Sequence, residues 1–118
     1  MRAVVLAAAA VLLVSLPSGV VAHSLLLDSS PATGATVPPP ARLALRFNNR
    51  VEQSLSRLRL VDARGVAWPL TVLAGASRVD HLEAAVPPLP PGVYRVEWQV
   101  LSTDGHIVVG RFSFRVAP

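Results

Sequence analysis

The sequence predicts an all-β protein, a small Greek-key β-sandwich of the immunoglobulin-like kind with about seven strands. Apolar and polar residues alternate with a period of two through most of the chain. Segments rich in proline and glycine separate these runs, and no helical period persists beyond two turns. One buried and one solvated face per strand is typical of antiparallel sheets, and several short strands of this kind favour a sandwich.

The first 22 residues are predicted to be a cleaved signal peptide, which leaves residues 23–118 as one folded domain. Arg2 is followed by an apolar run of roughly 14 residues, shorter than the ~20 that a membrane-spanning helix needs. Small side chains at Val20 and Ala22 suit a signal-peptidase site and argue against the rival hypothesis, an uncleaved anchor. We therefore expect a periplasmic or secreted protein with no stable membrane insertion after cleavage.

The strands and turns follow in order along the chain. A first strand is predicted in "HSLLLDS", and further short strands near 66–72 and 78–86. Parity predicts these inward side chains: Leu43, Leu45 and Phe47; Leu58 and Leu60; Leu82, Ala84 and Val86; Tyr94, Val96, Trp98 and Val100; Phe112, Phe114 and Val116. Val61 and His81 are predicted to face outward. Irregular or turn segments are predicted at 29–40, 62–65, 73–77, 87–92 and 102–106.

The amino-acid composition excludes several kinds of site and partner. The chain has no cysteine, which excludes disulfides and thiolate metal sites. All eleven basic residues are arginine, and the ten that follow Arg2 are scattered among seven carboxylates. No run of them is typical of a nucleic-acid site, so we expect no nucleic-acid partner.

A metal site is predicted from the amino terminus that signal cleavage creates. His23 becomes the first residue of the exported chain, where its α-amine and its imidazole Nδ1 can bind one metal ion together. Asp104 and His106 flank Gly105, and in an extended segment residues i and i+2 project from the same side. Three nitrogens and one oxygen in a tetragonal set favour Cu(II), so one Cu(II) ion per chain is the predicted cargo.

Plainer interpretations of these residues stay open. Asp-Gly is a common hairpin dipeptide, and His106 could simply end a turn. His81 is predicted to be a solvated strand residue, with a role as accessory ligand as the alternative. The sequence also leaves open whether Asn49 assists the site.

The segments "SPATGA", "PGVYRVEW" and "STDGH", with the histidine at the processed terminus, resemble the CopC family of periplasmic copper-resistance proteins. The resemblance covers nearly all of residues 23–118 and implies a β-sandwich with His23, Asp104 and His106 as Cu(II) ligands. Some members carry a methionine-rich Cu(I) segment, whereas here no methionine follows Met1. Others carry a carboxylate after the strand ending at Phe47, where this chain has asparagines. A Cu(II)-only member is therefore implied.

The resemblance implies a non-enzymatic binding protein that sequesters copper or delivers it to a membrane transporter similar to CopD, and we expect a monomer. One alternative is an enzyme similar to the histidine-brace copper monooxygenases, which need an open coordination position. The other alternative is a metal-free immunoglobulin-like interaction module.

Overall fold

The computed structural model describes residues 25–73 and 78–118, and nine β-strands lie in these ranges. The strands are β1 (Leu26–Ser30), β2 (Thr36–Val37), β3 (Arg42–Phe47), β4 (Arg57–Asp62), β5 (Ala67–Trp68), β6 (Thr71–Val72), β7 (His81–Ala85), β8 (Gly92–Leu101) and β9 (Ile107–Val116). A 3-10 helix spans Gln53–Leu55. The predicted signal segment, His23 and most of the predicted 73–77 link lie outside the described residues.

The strands form two sheets that pack as a sandwich, as the sequence predicts. The four-stranded sheet has the order β1-β3-β7-β6, and the five-stranded sheet has the order β2-β9-β8-β4-β5. The pairings are antiparallel except that β2 runs parallel to β9. Within the described ranges, no helix is long and apolar enough to span a bilayer.

The core consists mainly of the residues that alternation predicts to face inward. Phe47 of one sheet meets Trp98 of the other edge to face, with ring centroids 5.2 Å apart. Tyr94 stacks on Phe114 at 5.8 Å. The prediction that Val61 faces water is wrong, because Val61 is buried on the outer face of the five-stranded sheet. Its register partner there is Arg95, whose long aliphatic stem can cover apolar surface.

The strand count differs from the predicted seven because two predicted segments are organised differently. The segment 66–72 is two strands in different sheets, since Pro69 and Leu70 interrupt it and proline cannot donate to a ladder. The segment 29–40, predicted to be irregular, contains the two-residue strand β2. Strands this short carry no alternation for a sequence pattern to detect.

The connection into β8 has a feature that recurs in immunoglobulin-like sandwiches. The chain crosses from β7 to β8 through the predicted proline-rich segment 87–92, where Leu89 is buried. The hydroxyl of Tyr94 donates a hydrogen bond to the carbonyl of Pro90, four residues upstream, at 2.6 Å. This arrangement is a tyrosine corner, which fixes the chain as it enters a strand.

Candidate metal centre

The turn between β8 and β9 carries two of the three predicted ligands. Gly105 N–H donates to the carbonyl of Ser102 at 3.0 Å, and Ser102 N–H donates to the carbonyl of His106 at 2.9 Å. Gly105 has φ of +83°, in the left-handed region that glycine adopts without steric cost. The turn predicted at 102–106 is therefore confirmed, whereas the extended geometry assumed for residues 104–106 is wrong.

The turn nevertheless brings the predicted pair together. Nδ1 of His106 lies 3.0 Å from Oδ2 of Asp104. The other carboxylate oxygen, Oδ1, accepts a hydrogen bond from His106 N–H at 3.1 Å. This bond from a carboxylate to the amide two residues on is an Asx turn, which holds the backbone in place. One carboxylate thus both shapes the turn and contacts the imidazole.

Ser102 is the buried residue that hydrogen-bonds to this carboxylate. Its side chain is only 1% exposed, and its hydroxyl donates a hydrogen bond to Oδ1 of Asp104. The same hydroxyl oxygen lies 3.0 Å from the carbonyl of His106. The Ser102 hydrogen bond is the main reason that the pKa of Asp104 lies below its usual value, with the backbone and side chain of His106 adding to the effect. Asp104 is therefore an ionised, oriented carboxylate at neutral pH.

Leu25, the residue before β1, is hydrogen-bonded to the segment 48–51, which in turn contacts this turn. Leu25 N–H donates to Oδ1 of Asn48 at 2.7 Å, and Asn48 N–H donates back to the carbonyl of Leu25 at 2.9 Å. Three residues further on, Val51 forms a β-bridge with Ser102. Residues 48–51 thus connect the amino-terminal end of β1 to the Asp104 turn.

Asn48 is a residue whose role the sequence did not indicate. The sequence left open a role for its neighbour Asn49, whereas the contact to the start of β1 is made by Asn48. The two asparagines after Phe47 are a signal for a polar strand end, but nothing in the pattern distinguishes one from the other. His23 lies two residues before Leu25, outside the described residues, and its role as a ligand stays a prediction.

His81 belongs to a different group of side chains. The prediction of a solvated residue is wrong, because its side chain is only 17% exposed. Its Nδ1 lies 2.7 Å from Oδ1 of Asp80, and this contact is the main cause of the lowered pKa of Asp80. Within the described ranges no three histidine or carboxylate side chains are close enough to hold one metal ion. His81 is thus not grouped with Asp104 and His106.

Comparisons with known proteins agree with this architecture. The model of the CopC domain family matches residues 26–117. Copper resistance protein C of Xanthomonas campestris pv. juglandis is 37% identical over 102 residues, which cover 80% of each chain.

A solved structure and a longer relative extend these findings. The crystal structure of CopC from Methylosinus trichosporium OB3b superposes with a TM-score of 0.77 at 36% identity, covering 81% of this chain and 95% of that one. Copper transport protein CutJ of Bacillus subtilis (strain 168) is 30% identical over 107 residues, which are 88% of this chain but only 20% of that protein.

Proposed function

This chain belongs to the CopC family, and from that premise we propose that it is exported, binds one Cu(II) ion and sequesters it or delivers it to a membrane copper transporter. The family supports a copper-binding role in copper resistance or homeostasis. The exported location, the oxidation state, the ligands and the delivery partner are specific to this proposal.

The observation that carries the proposal is the separation of 3.0 Å between Nδ1 of His106 and Oδ2 of Asp104. Two ligand atoms that each lie about 2 Å from one metal ion, at a right angle to each other, are about 2.8 Å apart. The pair therefore already has close to the spacing of two adjacent ligands in a tetragonal site. The distance between the two atoms therefore suits an ion bound by both, once the imidazole turns so that the Nδ1 lone pair points at the ion.

The donor types support Cu(II) over Cu(I). Imidazole nitrogen and carboxylate oxygen suit Cu(II), whereas Cu(I) favours cysteine and methionine sulfur. The chain has no cysteine, and its one methionine is Met1. A methionine-based Cu(I) site, as in some family members, has no residues here to form it.

His23 completes the proposed ligand set with its α-amine and its imidazole. One residue separates His23 from Leu25 in the sequence, and two extended residues span at most about 7 Å. Leu25 is held by Asn48, and the following segment bridges to Ser102, which supports an approach of the chain start to the Asp104 turn. One amine, two imidazoles and one carboxylate fill the plane of a tetragonal Cu(II) ion, and we assign the site no catalytic step.

The transporter as recipient is supported by the longer relative. A stretch similar to nearly all of this chain makes up one fifth of a copper transport protein in Bacillus subtilis. A binding domain joined to such a protein is suited to hand over its ion at short range. We propose that the present chain does so as a separate monomer.

The experiment that tests the proposal is a Cu(II) titration of two forms of the protein, one that starts at His23 and one with an additional glycine before it. The extension converts the α-amine of His23 into an amide and moves the free amine away. We expect the affinity for Cu(II) to fall by orders of magnitude, with loss of one nitrogen from the copper signal in electron paramagnetic resonance.

The matched control is His81→Gln, which removes the largely buried histidine that pairs with Asp80. This variant should bind Cu(II) as the unmodified protein does. Equal Cu(II) affinities of the extended and unextended forms would show that the α-amine of His23 is not a ligand. Mass spectrometry of the exported protein provides an independent check, since a mature chain that starts elsewhere contradicts the proposal directly.

A further inference from the structure

The outer face of the five-stranded sheet gathers arginines that are far apart in the sequence. Side chains on this face are those opposite in parity to the buried Tyr94, Val96 and Trp98. The register of β4, β8 and β9 then places five arginines on one surface, which we call the arginine face: Arg57, Arg59, Arg95, Arg111 and Arg115. All five are exposed.

The arginine face carries a strong excess of positive charge. Glu97 is the only carboxylate among the described residues of the arginine face, and its Oε1 accepts a hydrogen bond from Arg95 at 3.1 Å. Five arginines and one glutamate leave a net charge of +4 on the face. The other described arginines and carboxylates number five and six, which leaves −1 for the rest of the fold. The modest net charge of the chain thus hides a strong asymmetry.

The centre of the face is a groove rather than a dense ion-pair network. Its volume is about 460 Å³, and it is lined by these residues: Arg57, Leu58, Arg59, Glu97, Trp98, Gln99, Val109, Gly110 and Arg111. Arg59 and Arg111 lie in one cross-strand row on either side of Glu97. Among the described residues, no carboxylate lies within ion-pair distance of Arg57, Arg59 or Arg111. Guanidinium groups around an open groove form a suitable site for a phosphate group.

Aliphatic side chains project from the same face. Val109 is 68% exposed and Ile107 is 65% exposed, and both belong to the outward set of β9. Trp98 lines the groove but belongs to the buried, inward set of β8, so no aromatic side chain projects from the described part of this face. Protein interfaces are enriched in aromatic side chains as well as in arginine, and this face presents arginine without the aromatics. Arginines with exposed aliphatic residues are instead typical of surfaces that bind anionic lipid headgroups and the adjoining acyl boundary.

We propose that the arginine face docks the protein on an anionic phospholipid membrane, with a headgroup phosphate in the groove and Val109 at the lipid boundary. The turn that carries Asp104 and His106 lies at the end of the same β8–β9 hairpin. Docking through this face therefore holds the candidate metal centre at the edge of the membrane contact. The contact is reversible and electrostatic, and it needs no membrane-spanning segment.

The test is sedimentation of the protein, purified from the exported fraction, with vesicles of phosphatidylcholine that contain or lack phosphatidylglycerol. We expect binding only to the anionic vesicles, and weaker binding as salt is added. The double variant Arg59→Gln/Arg111→Gln should lower the partition coefficient by about 25-fold, at about fivefold for each arginine near the surface. Val109→Ser should weaken the binding that persists at high salt.

The matched control is Arg42→Gln/Arg78→Gln, which removes the same charge from exposed arginines outside the arginine face. Its partition coefficient should change severalfold less than that of the arginine-face variant. Equal losses in both double variants would show that only net charge matters and would overturn the assignment of the face. Circular dichroism and thermal melting of each variant confirm that it is folded.

Two further outcomes would also overturn the proposal. One is equal binding to vesicles with and without phosphatidylglycerol. The other is an absence of vesicle binding together with binding of polyglutamate that depends on Arg59 and Arg111, which would indicate an acidic protein as the partner. Parallel Cu(II) titrations of the same variants keep this test separate from the proposed function, since the arginine-face variants should bind copper normally.

Discussion

Ser102→Ala is the substitution that separates the orientation of Asp104, the proposed carboxylate ligand, from its charge. The serine hydroxyl donates to Oδ1 of Asp104 and is the main cause of the lowered pKa of that carboxyl. In the variant the pKa of Asp104 rises toward its ordinary value near 3.9, which is still far below neutral pH. Asp104 therefore remains ionised at pH 7, and any loss of copper affinity comes from loss of orientation.

The size of the effect follows from what the hydroxyl holds in place. Removing a group that orients a metal ligand typically lowers metal affinity by about 10- to 100-fold. The stability of the apo protein should change less, because one net hydrogen bond contributes about 1 kcal/mol. For a domain of this size that corresponds to a melting temperature lower by about 4–8 °C. A large loss of affinity with a small loss of stability is the expected signature.

The assay is competition for Cu(II) with a chromophoric chelator at pH 7, alongside thermal melting of the apo protein. The matched control is Ser56→Ala, a second buried serine at this end of the sandwich. Its hydroxyl donates to the carbonyl of Glu52 at 2.8 Å rather than to Asp104. If Ser102→Ala binds copper as tightly as the wild type, or if both serine variants lose affinity equally, the orienting role of Ser102 is refuted.

Three further predictions concern single substitutions at Asp104, Gly110 and Asp62. Asp104→Asn should keep the Asx turn, since an amide oxygen can still accept from His106 N–H, but it loses the stabilisation that comes with the lowered pKa of Asp104. At pH 7 it should therefore melt somewhat below the wild type, while copper binding is lost. Gly110→Ala should destabilise the fold by about 1–3 kcal/mol, because the added Cβ would lie 2.2 Å from Cζ2 of Trp98. Trp98→Phe should relieve part of this cost, which a double-mutant cycle followed by urea unfolding would measure. The pKa of Asp62 is lowered, chiefly because its carboxylate accepts a hydrogen bond from Val66 N–H. The ionised carboxylate therefore stabilises the fold at pH values above its ordinary pKa, and this stabilisation is lost as the pH falls through the lowered pKa. Asp62→Asn should therefore melt below the wild type at pH 7, and the gap measured by circular dichroism should narrow below about pH 4.

Copper binding should also weaken in acid. The two proposed imidazole ligands must be neutral to bind, and the proposed amine ligand must lose a proton of pKa about 7.7–8.0. Titrations from pH 8 to pH 5 should show a continuous fall in Cu(II) affinity. An affinity that stays constant over this range would contradict a site built from nitrogen donors.

The sequence predicted the sandwich because a period of two is a property of each strand alone. Leu43, Leu45 and Phe47 are buried as alternation requires, whatever strand lies beside them. Pairing across strands is not encoded locally in this way. The division of 66–72 between two sheets, and the grouping of Arg59 with Arg111, depend on register that no single segment reveals. A chain without any run of basic residues can thus still carry a strongly basic surface.

Two predictions for the Asp104 turn had different outcomes: the turn at 102–106 is confirmed, whereas the extended geometry assumed for Asp104 and His106 is wrong. The sequence offered a turn residue and a metal ligand as competing interpretations of Asp104. The two carboxylate oxygens allow both, because Oδ1 accepts from the backbone while Oδ2 lies beside the ring of His106. A tight turn fixes this carboxylate more firmly than an extended strand would, since the bond to His106 N–H orients it within its own segment. The same local bond joins the backbone of His106 to Asp104, so the imidazole and the carboxylate are positioned as one unit before any ion arrives.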